Sequence, residues 1–363
     1  MLKLWNKKEI ELLSERVKSA TFYKLKTIKL KLTDHCNLRC LKCDYWEKDK
    51  KEEIPAENVK KIIDEGVGLG LREISLSGGE PTLRKDLAEI VCYGVKRDIN
   101  FRIISNGSYL NPEELLFLIN NGLRKWTFSL DGHIAEVHDR AVGKKDAFKK
   151  LIKSISTITL EKQKHGNAAE VNILTVVSKN NYQDLPHIAK LAYNLGVDSI
   201  RFFPYDFRQS SLNSFNTKDD LLLMTRKEIS KFNKVIFPQI EQLAREISMK
   251  IYPDYDRHLF GSNNDEIEKA EFGDVALGFY ENNVCFVPWH HLSIFPNGEA
   301  YVCCKKPLNP LGNIHQSSLS EILYSDEMNK IRSMFVNKKH PNTCNSCNSR
   351  TFENKYLSKE IGQ

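Results

Sequence analysis

The feature that most constrains the fold of this chain is a regular alternation of strand and helix patterns between residues 27 and 205. Thr27–Leu32 alternates apolar and polar side chains as a half-buried strand does. The pattern repeats, with further strands predicted at 73–77, 101–105, 125–130, 170–177 and 199–203 and helices between them. Strands that alternate with helices pair in parallel through right-handed crossovers. The sequence therefore predicts an α/β fold, a partial (β/α)6 barrel of the TIM type.

The rest of the chain is divided around this barrel. We expect an N-terminal helix in 1–26, the barrel in 27–206, a connecting or insertion region in 207–284, a small C-terminal α+β domain in 285–350 and a tail in 351–363. Apolar runs on both sides of Pro296-Asn297-Gly298 predict a β-hairpin in the small domain. A single helix is predicted between 317 and 335.

Composition excludes several classes of protein. The chain has 54 Lys+Arg against 47 Asp+Glu in 363 residues, and the two signs are interspersed, without the basic stripe and interleaved aromatics of a nucleic-acid binder. No apolar run approaches the roughly 18 residues of a membrane span. The N-terminal residues also lack the apolar stretch of a secretory signal. We therefore expect a cytoplasmic protein with neither a nucleic-acid nor a membrane partner.

The nine cysteines are clustered, and without an export signal they argue for metal binding rather than a disulfide framework. Cys36, Cys40 and Cys43 follow the first strand with the spacing C-x3-C-x2-C. Iron–sulfur cubanes normally take four cysteines, so a loop with three leaves one iron open to an outside ligand. A zinc knuckle is the alternative that the spacing leaves open.

Four more cysteines form a second set near the C-terminus: Cys285, Cys303, Cys344 and Cys347. The predicted hairpin brings the first two together, and the Cys-x-x-Cys pair completes four ligands. Four thiolates suit tetrahedral zinc as well as a [4Fe–4S] cluster, so ligand chemistry leaves both open. Cys303 fits the spacing better than its neighbour Cys304, which is left as spare.

The run Ser77-Gly78-Gly79-Glu80-Pro81 follows the second strand. Together with the three-cysteine loop it resembles the cofactor-binding elements of the radical S-adenosylmethionine (radical SAM) enzymes, over about residues 27–205. The resemblance implies that Cys36, Cys40 and Cys43 hold a [4Fe–4S] cluster whose open iron takes S-adenosylmethionine. It also implies that the methionine amino group binds at three residues, Gly78, Gly79 and Glu80.

Further residues are assigned by the same resemblance. Ser129 and Asp131, after the fourth strand, are expected near the ribose and methionine parts of the cofactor, and Arg140 near its carboxylate. The family has an aromatic just before the third cysteine, packed near adenine, where this chain has Lys42. Tyr45 and Trp46 lie close enough in the sequence to substitute for it, and Tyr45 is the expected one.

The C-terminal cysteines also carry a resemblance. Cys285 and Cys303 have the spacing C-x12-G-x4-C, which is similar to that of the auxiliary-cluster domain called SPASM. The small number of cysteines in this region resembles that of a smaller version of this domain, which is called the Twitch domain. This implies one auxiliary [4Fe–4S] cluster on Cys285, Cys303, Cys344 and Cys347.

The resemblance implies reductive cleavage of S-adenosylmethionine to a 5′-deoxyadenosyl radical, which removes hydrogen from a substrate. Electrons would come from an external donor such as flavodoxin or ferredoxin. Single-cluster Twitch enzymes include oxidations of a cyclitol alcohol, so we expect an oxidoreductase acting on a sugar or cyclitol, with Arg201 at the end of the sixth strand as a candidate substrate contact.

Two alternatives remain. Modification of a precursor peptide is the first, although only 26 residues precede Thr27, too few for a folded peptide-recognition domain. The second, from another class, is a non-catalytic iron–sulfur or zinc scaffold that binds a partner.

Overall fold

The structure is a computed structural model that describes residues 5–47, 53–166, 169–205, 221–252, 259–261, 263–271, 276–305, 308–347 and 351–362. The strands are β1 (Thr27–Thr33), β2 (Glu73–Gly78), β3 (Asn100–Ser105), β4 (Lys125–Ser129), β5 (Glu170–Val177), β6 (Ser199–Pro204), β7 (Lys250–Tyr252), β8 (His291–Ile294), β9 (Glu299–Tyr301) and β10 (Gly312–Asn313). The helices are α1 (Lys7–Lys18), α2 (Ala56–Gly68), α3 (Leu87–Val95), α4 (Pro112–Asn120), α5 (Ala135–Val142), α6 (Ala147–His165), α7 (Leu185–Asn194), α8 (Arg226–Lys231), α9 (Phe237–Glu246), α10 (Asn264–Glu271), α11 (Phe279–Asn282), α12 (Leu319–Tyr324), α13 (Asp326–Val336) and α14 (Thr351–Ile361). None of the helices in these ranges is long and apolar enough to cross a membrane.

All ten strands form one sheet in the order β10-β9-β8-β1-β2-β3-β4-β5-β6-β7. β1 to β7 pair in parallel in chain order. The α/β partial barrel expected from the sequence is confirmed. Its six predicted strands are present, and β7 is a seventh that the sequence did not reveal, because three residues are too few to show a period.

The C-terminal hairpin joins the barrel sheet instead of making a sheet of its own. β8 and β9 pair in antiparallel fashion around the predicted turn. β8 also pairs in parallel with the outer edge of β1, with Thr27 opposite His291. This pairing satisfies the backbone groups that an edge strand would leave open. The expected domain boundaries stay predictions, and residues 206–220 lie outside the described residues.

Several helices differ from expectation at their ends. α6 continues to His165, past Ile158, where the helical pattern that the sequence predicts between the fourth and fifth strands ends. The single helix predicted at 317–335 is two, because Ser325 has extended backbone and its hydroxyl caps α13 by accepting from Met328 N. The expected C-terminal tail is helical in α14.

Alternating burial along the strands gives the barrel two different faces. In β1, Ile28, Leu30 and Leu32 are buried in the main hydrophobic core, whereas Lys29 and Lys31 are only partly covered. β4, β5 and β6 show the same alternation. The inner face of the barrel is therefore accessible and bears several polar side chains, and the parallel strands all end at the same rim.

The buried Arg332 of α13 fastens the C-terminal elements together. Its guanidinium donates to Pro288 O at 3.1 Å, Leu323 O at 2.9 Å and Asn329 Oδ1 at 2.8 Å, and the side chain is 0% exposed. Burial lowers the pKa of this guanidinium to about 10.

We expect Arg332→Met to destabilise the protein by about 3 kcal/mol, because it leaves two buried carbonyl groups without donors. The measurement is urea unfolding followed by circular dichroism. Lys330→Met is the matched control, since Lys330 on the same helix is exposed and should change the midpoint little. Equal midpoints for the two variants would contradict the assignment.

Candidate cluster and cofactor site

The cysteine loop, residues 34–47, leaves the end of β1 and is held against α5. Arg39 N and Leu41 N donate to Val142 O and Ala141 O, each at 3.0 Å. Leu38 is buried in a small apolar cluster with Val142. These contacts fix the backbone between the first and third cysteines, so the three thiols are presented by an ordered loop.

The three thiols of the cysteine loop lie within electrostatic reach of one another. Burial is the largest cause of the raised pKa of Cys40. The positive charge of Lys42 opposes the rise, and the neighbouring thiols of Cys43 and Cys36 add to it. Burial also raises the pKa of Cys36, and Cys43 adds to that effect. Thiolates crowded in this way need a bound cation or cluster to stay deprotonated.

Sulfur spacing tests whether the donors fit the implied group. Within the described residues, neither cysteine set brings three sulfurs within 4.8 Å of one another. A tetrahedral zinc ion with bonds of about 2.3 Å needs sulfurs about 3.8 Å apart. A [4Fe–4S] cluster binds each thiolate through a different iron and so takes a wider shell. Both donor sets consist of cysteine thiols, which are the ligands that [4Fe–4S] clusters take.

The paired glycines let the end of β2 lie directly on the start of the cysteine loop. Gly79 N donates to Thr33 O and Glu80 N to His35 O, both at 2.7 Å. A Cβ at Gly79 would meet His35 O at 2.2 Å, and one at Gly78, where φ is +131°, would meet Thr33 O at 2.3 Å. The two glycines thus allow the two backbone segments to come into direct contact. Their expected role at the methionine amino group stays a prediction.

Glu80 is buried and oriented by the end of β3. Its Oε1 accepts from Thr82 N at 3.1 Å, Thr82 Oγ1 at 2.6 Å and Ser105 Oγ at 2.8 Å, while Oε2 accepts from Asn106 N at 2.7 Å. Burial raises the pKa of Glu80, and these hydrogen bonds oppose the rise. Because a carboxylate oxygen can accept about two hydrogen bonds, Oε2 keeps room for one more donor. That room suits a ligand ammonium group.

Lys42 makes an ion pair that sequence reasoning missed. Its Nζ lies 2.6 Å from both carboxylate oxygens of Asp131, which is 2% exposed at the end of β4. Asp131 N donates to His138 Nδ1 at 3.2 Å, and burial lowers the pKa of His138, so the imidazole is neutral. In the sequence, the one signal was the departure at Lys42 itself, and it does not identify Asp131 as the partner.

The remaining predicted cofactor residues lie at different depths. Ser129 is partly exposed at the end of β4, beside Asp131. Tyr45 accepts a hydrogen bond from Lys31 Nζ, and burial, then Asp34 and Cys43, raises its pKa. Arg140 is exposed on α5, with no hydrogen bond or ion pair to other residues that the structure describes. Among the described residues, no hydrogen bond or ion pair joins Arg140 to Asp131 or Glu80, and its cofactor role stays a prediction.

Arg201 lies on the inner face of β6. Its guanidinium is 4.9 Å from the Tyr252 ring centroid and 5.8 Å from that of Phe203. Tyr252 is its neighbour on β7, the strand that the sequence did not predict. The expected substrate contact is therefore a wall residue of the barrel, partly exposed and stacked against aromatics.

The structure brings the four C-terminal cysteines together as an auxiliary site: Cys285, Cys303, Cys344 and Cys347. Burial raises the pKa of Cys303, and thiols 304, 347 and 285 raise it further. Burial likewise raises the pKa of Cys344, and the other three members of the site add to it. The thiol of Cys304 also raises the pKa of Tyr45 in the cysteine loop. This grouping supports Cys303 as the fourth ligand and leaves Cys304 between the two sites.

Two buried side chains donate to sulfurs of the auxiliary site. Tyr280 OH lies 3.4 Å from Cys347 Sγ, and Asn354 Nδ2 lies 3.4 Å from Cys285 Sγ and 2.9 Å from Tyr280 OH. The amide is oriented because its Oδ1 accepts from Phe286 N at 3.0 Å. Sequence reasoning missed both residues, and Asn354 belongs to the helix expected as a tail.

We expect Gly79→Ala to remove the first cluster selectively, since the added methyl group meets the His35 carbonyl, which is backbone and cannot move aside. Iron per chain after anaerobic reconstitution should fall by about half, from about eight to about four. Gly68→Ala is the control, because a Cβ there meets nothing within 4 Å. Full iron loading in Gly79→Ala would refute the tight contact.

We expect Tyr280→Phe to lower the reduction potential of the auxiliary cluster, because hydrogen bonds to cluster sulfurs favour the reduced state. One lost bond of about 1 kcal/mol corresponds to about 40 mV for one electron. The measurement is a redox titration followed by electron paramagnetic resonance. The exposed Tyr324→Phe is the control. An unchanged potential in Tyr280→Phe would mean that the hydroxyl does not donate to Cys347.

Two family models match the chain. One, described as the radical SAM superfamily, covers residues 30–192, and the other, an iron–sulfur cluster-binding domain named SPASM, covers residues 285–348. The first match contains the cysteine loop and the Gly-Gly-Glu segment, and the second contains all four cysteines of the auxiliary site.

Among curated proteins, the chain is 32% identical over 174 residues to the AdoMet-dependent heme synthase of Methanosarcina barkeri, covering 47% of this chain and 48% of that protein. It is 25% identical over 244 residues to the PqqA peptide cyclase of Bradyrhizobium diazoefficiens, covering 66% and 62% respectively. The matched parts thus span about half to three fifths of the length of these relatives.

Among solved structures, Streptococcus suis SuiB bound to precursor peptide SuiA aligns with a TM-score of 0.63 at 16% identity, covering 88% of this chain and 69% of that one. At this identity the likeness concerns the fold alone. By the two family models, the chain carries a radical SAM domain, which implies S-adenosylmethionine bound at a [4Fe–4S] cluster, and a SPASM domain, which implies an auxiliary [4Fe–4S] cluster.

Proposed function

We propose that this protein is a radical SAM enzyme that abstracts hydrogen from a peptide substrate and modifies it. The observation that carries the proposal is the meeting of the cysteine loop, Glu80 and Asp131 at the rim of an open parallel barrel. The carboxyl ends of parallel strands are where such folds hold their chemistry.

The implied [4Fe–4S] cluster would supply the difficult chemistry, which is the binding and reductive cleavage of S-adenosylmethionine. The chain supplies ligands and orientation. Cys36, Cys40 and Cys43 would hold the cluster, and Glu80 Oε2 would accept from the amino group. Asp131, fixed by Lys42, would contact the ribose side.

Charge on the inner face supports a substrate with carboxylate groups. Lys29, Lys31 and Arg201 lie on this face, partly exposed. Lys31 Nζ is 4.8 Å from the ring centroid of the partly exposed Tyr45, so an aromatic surface adjoins the charge. An acidic or aromatic peptide segment matches this combination of cations and rings. A neutral sugar needs no such positive charge.

Similarity to a peptide cyclase over 244 residues also supports a peptide over a small molecule. Dehydrogenation of a sugar or cyclitol, expected from the sequence, is the second candidate. The accessible mouth of the barrel does not favour a sugar or cyclitol over other compact substrates. Electrons would enter from an external donor such as flavodoxin or ferredoxin, and the cytoplasmic location stays a prediction.

We expect the reconstituted protein to form 5′-deoxyadenosine from S-adenosylmethionine under dithionite, even without substrate, because Cys36, Cys40 and Cys43 would leave one iron open to the cofactor. Cys36→Ala should form none, whereas Cys92→Ala, which alters a cysteine of α3 outside both sets, should match the wild type. The product is quantified by chromatography. If the wild type forms no product, the enzyme proposal is wrong and a non-catalytic scaffold is favoured.

Isotope transfer distinguishes a peptide substrate from a cyclitol substrate. Deuterated acidic peptides should pass deuterium into 5′-deoxyadenosine, because abstraction moves the substrate's hydrogen to that product. Deuterated cyclitols should not. Transfer from a cyclitol alone would reverse the order of the two candidates.

A further inference from the structure

Away from both cysteine sets, three potential metal ligands meet where the loop after β4 approaches the start of α7. His133, Asp184 and His187 each place one ligand atom within 4.8 Å of the others. His133 and Asp184 are partly buried and His187 is exposed, so the cluster faces solvent on one side. Two imidazoles and one carboxylate are ligands that divalent transition metals accept.

The fold holds these side chains in place. His133 N donates to Asp184 Oδ2 at 3.1 Å, which ties the loop to the first turn of α7. Asp184 precedes α7 and His187 lies three residues later, so both project from the same side of that turn. The two imidazole rings are 4.9 Å apart between centroids, at an angle of 76°.

One nitrogen in this cluster lacks a good hydrogen bond. His133 Nδ1 is shut off from solvent and, within the part of the chain that the structure describes, has no partner of acceptable hydrogen-bond geometry. Asp184 Oδ1 is 2.5 Å away but poorly aligned. A buried polar atom left in this way is costly. A cation bound by both the nitrogen and a carboxylate oxygen would satisfy both, once the two atoms separate from 2.5 Å to the roughly 3 Å that two bonds of about 2.1 Å to one ion require.

We propose that His133, Asp184 and His187 bind one divalent transition-metal ion, Zn²⁺ being the simplest case, with water at its remaining positions. The site is separate from the iron–sulfur chemistry and does not depend on the proposed function. His133 lies two residues after Asp131, and Asn181 Nδ2 donates to Asp131 O at 3.2 Å. A bound ion would therefore brace the loop that carries Asp131 against the segment leading to α7.

The test uses the holoprotein, reconstituted anaerobically so that both cysteine sets are filled with iron, then treated with a mild chelator and titrated with Zn²⁺. We expect the wild type to retain one zinc ion per chain by elemental analysis. His187→Ala, which removes an exposed ligand and should fold normally, should weaken zinc binding at least tenfold. His165→Ala, an exposed histidine on α6, is the matched control.

A second readout identifies the ligands. X-ray absorption at the zinc edge should show nitrogen and oxygen neighbours with two imidazoles and no sulfur. Equal zinc affinity in the wild type and His187→Ala would overturn the proposal, as would sulfur coordination, which would mean that zinc enters a cysteine set. Retention of no zinc by the wild type would overturn it as well.

Discussion

The site depends on a contact between two backbones. Gly79 N and Glu80 N donate to the carbonyls of Thr33 and His35, so the end of β2 lies directly on the start of the cysteine loop. Only residues without a Cβ allow that approach, since a methyl group at either glycine would overlap a carbonyl oxygen. Through this contact, the strand register of β1 and β2 sets where the first thiols stand relative to Glu80 and the barrel mouth.

The buried polar and charged groups of both sites have hydrogen-bond or ion-pair partners. A buried carboxylate is costly unless it is paired or hydrogen-bonded. Glu80 is held by four donors and Asp131 by the ammonium group of Lys42. At the auxiliary site, Tyr280 and Asn354 do the same for thiol sulfurs. Each site thus has a layer of buried polar partners that fixes the direction of the groups that would hold a cofactor.

Sequence reasoning predicted the barrel well because each long strand and helix carries its own period. It missed β7, whose three residues are too few for a pattern, and the pairing of β8 with β1, which joins residues 264 apart in the case of Thr27 and His291. It grouped both cysteine sets from spacing alone. It left Lys42 as a departure, since nothing local to that residue points to Asp131.

The sequence by itself determined the fold class, the two sets of cysteines and the Gly-Gly-Glu segment, because periodicity and ligand spacing depend on neighbours in the chain. The tertiary structure alone decided which groups surround those ligands. Lys42 and Asp131 are 89 residues apart, and Asn354 and Cys285 are 69 apart. Such pairs form only when packing brings distant segments together, and burial then makes each unpaired charge or amide too costly to leave.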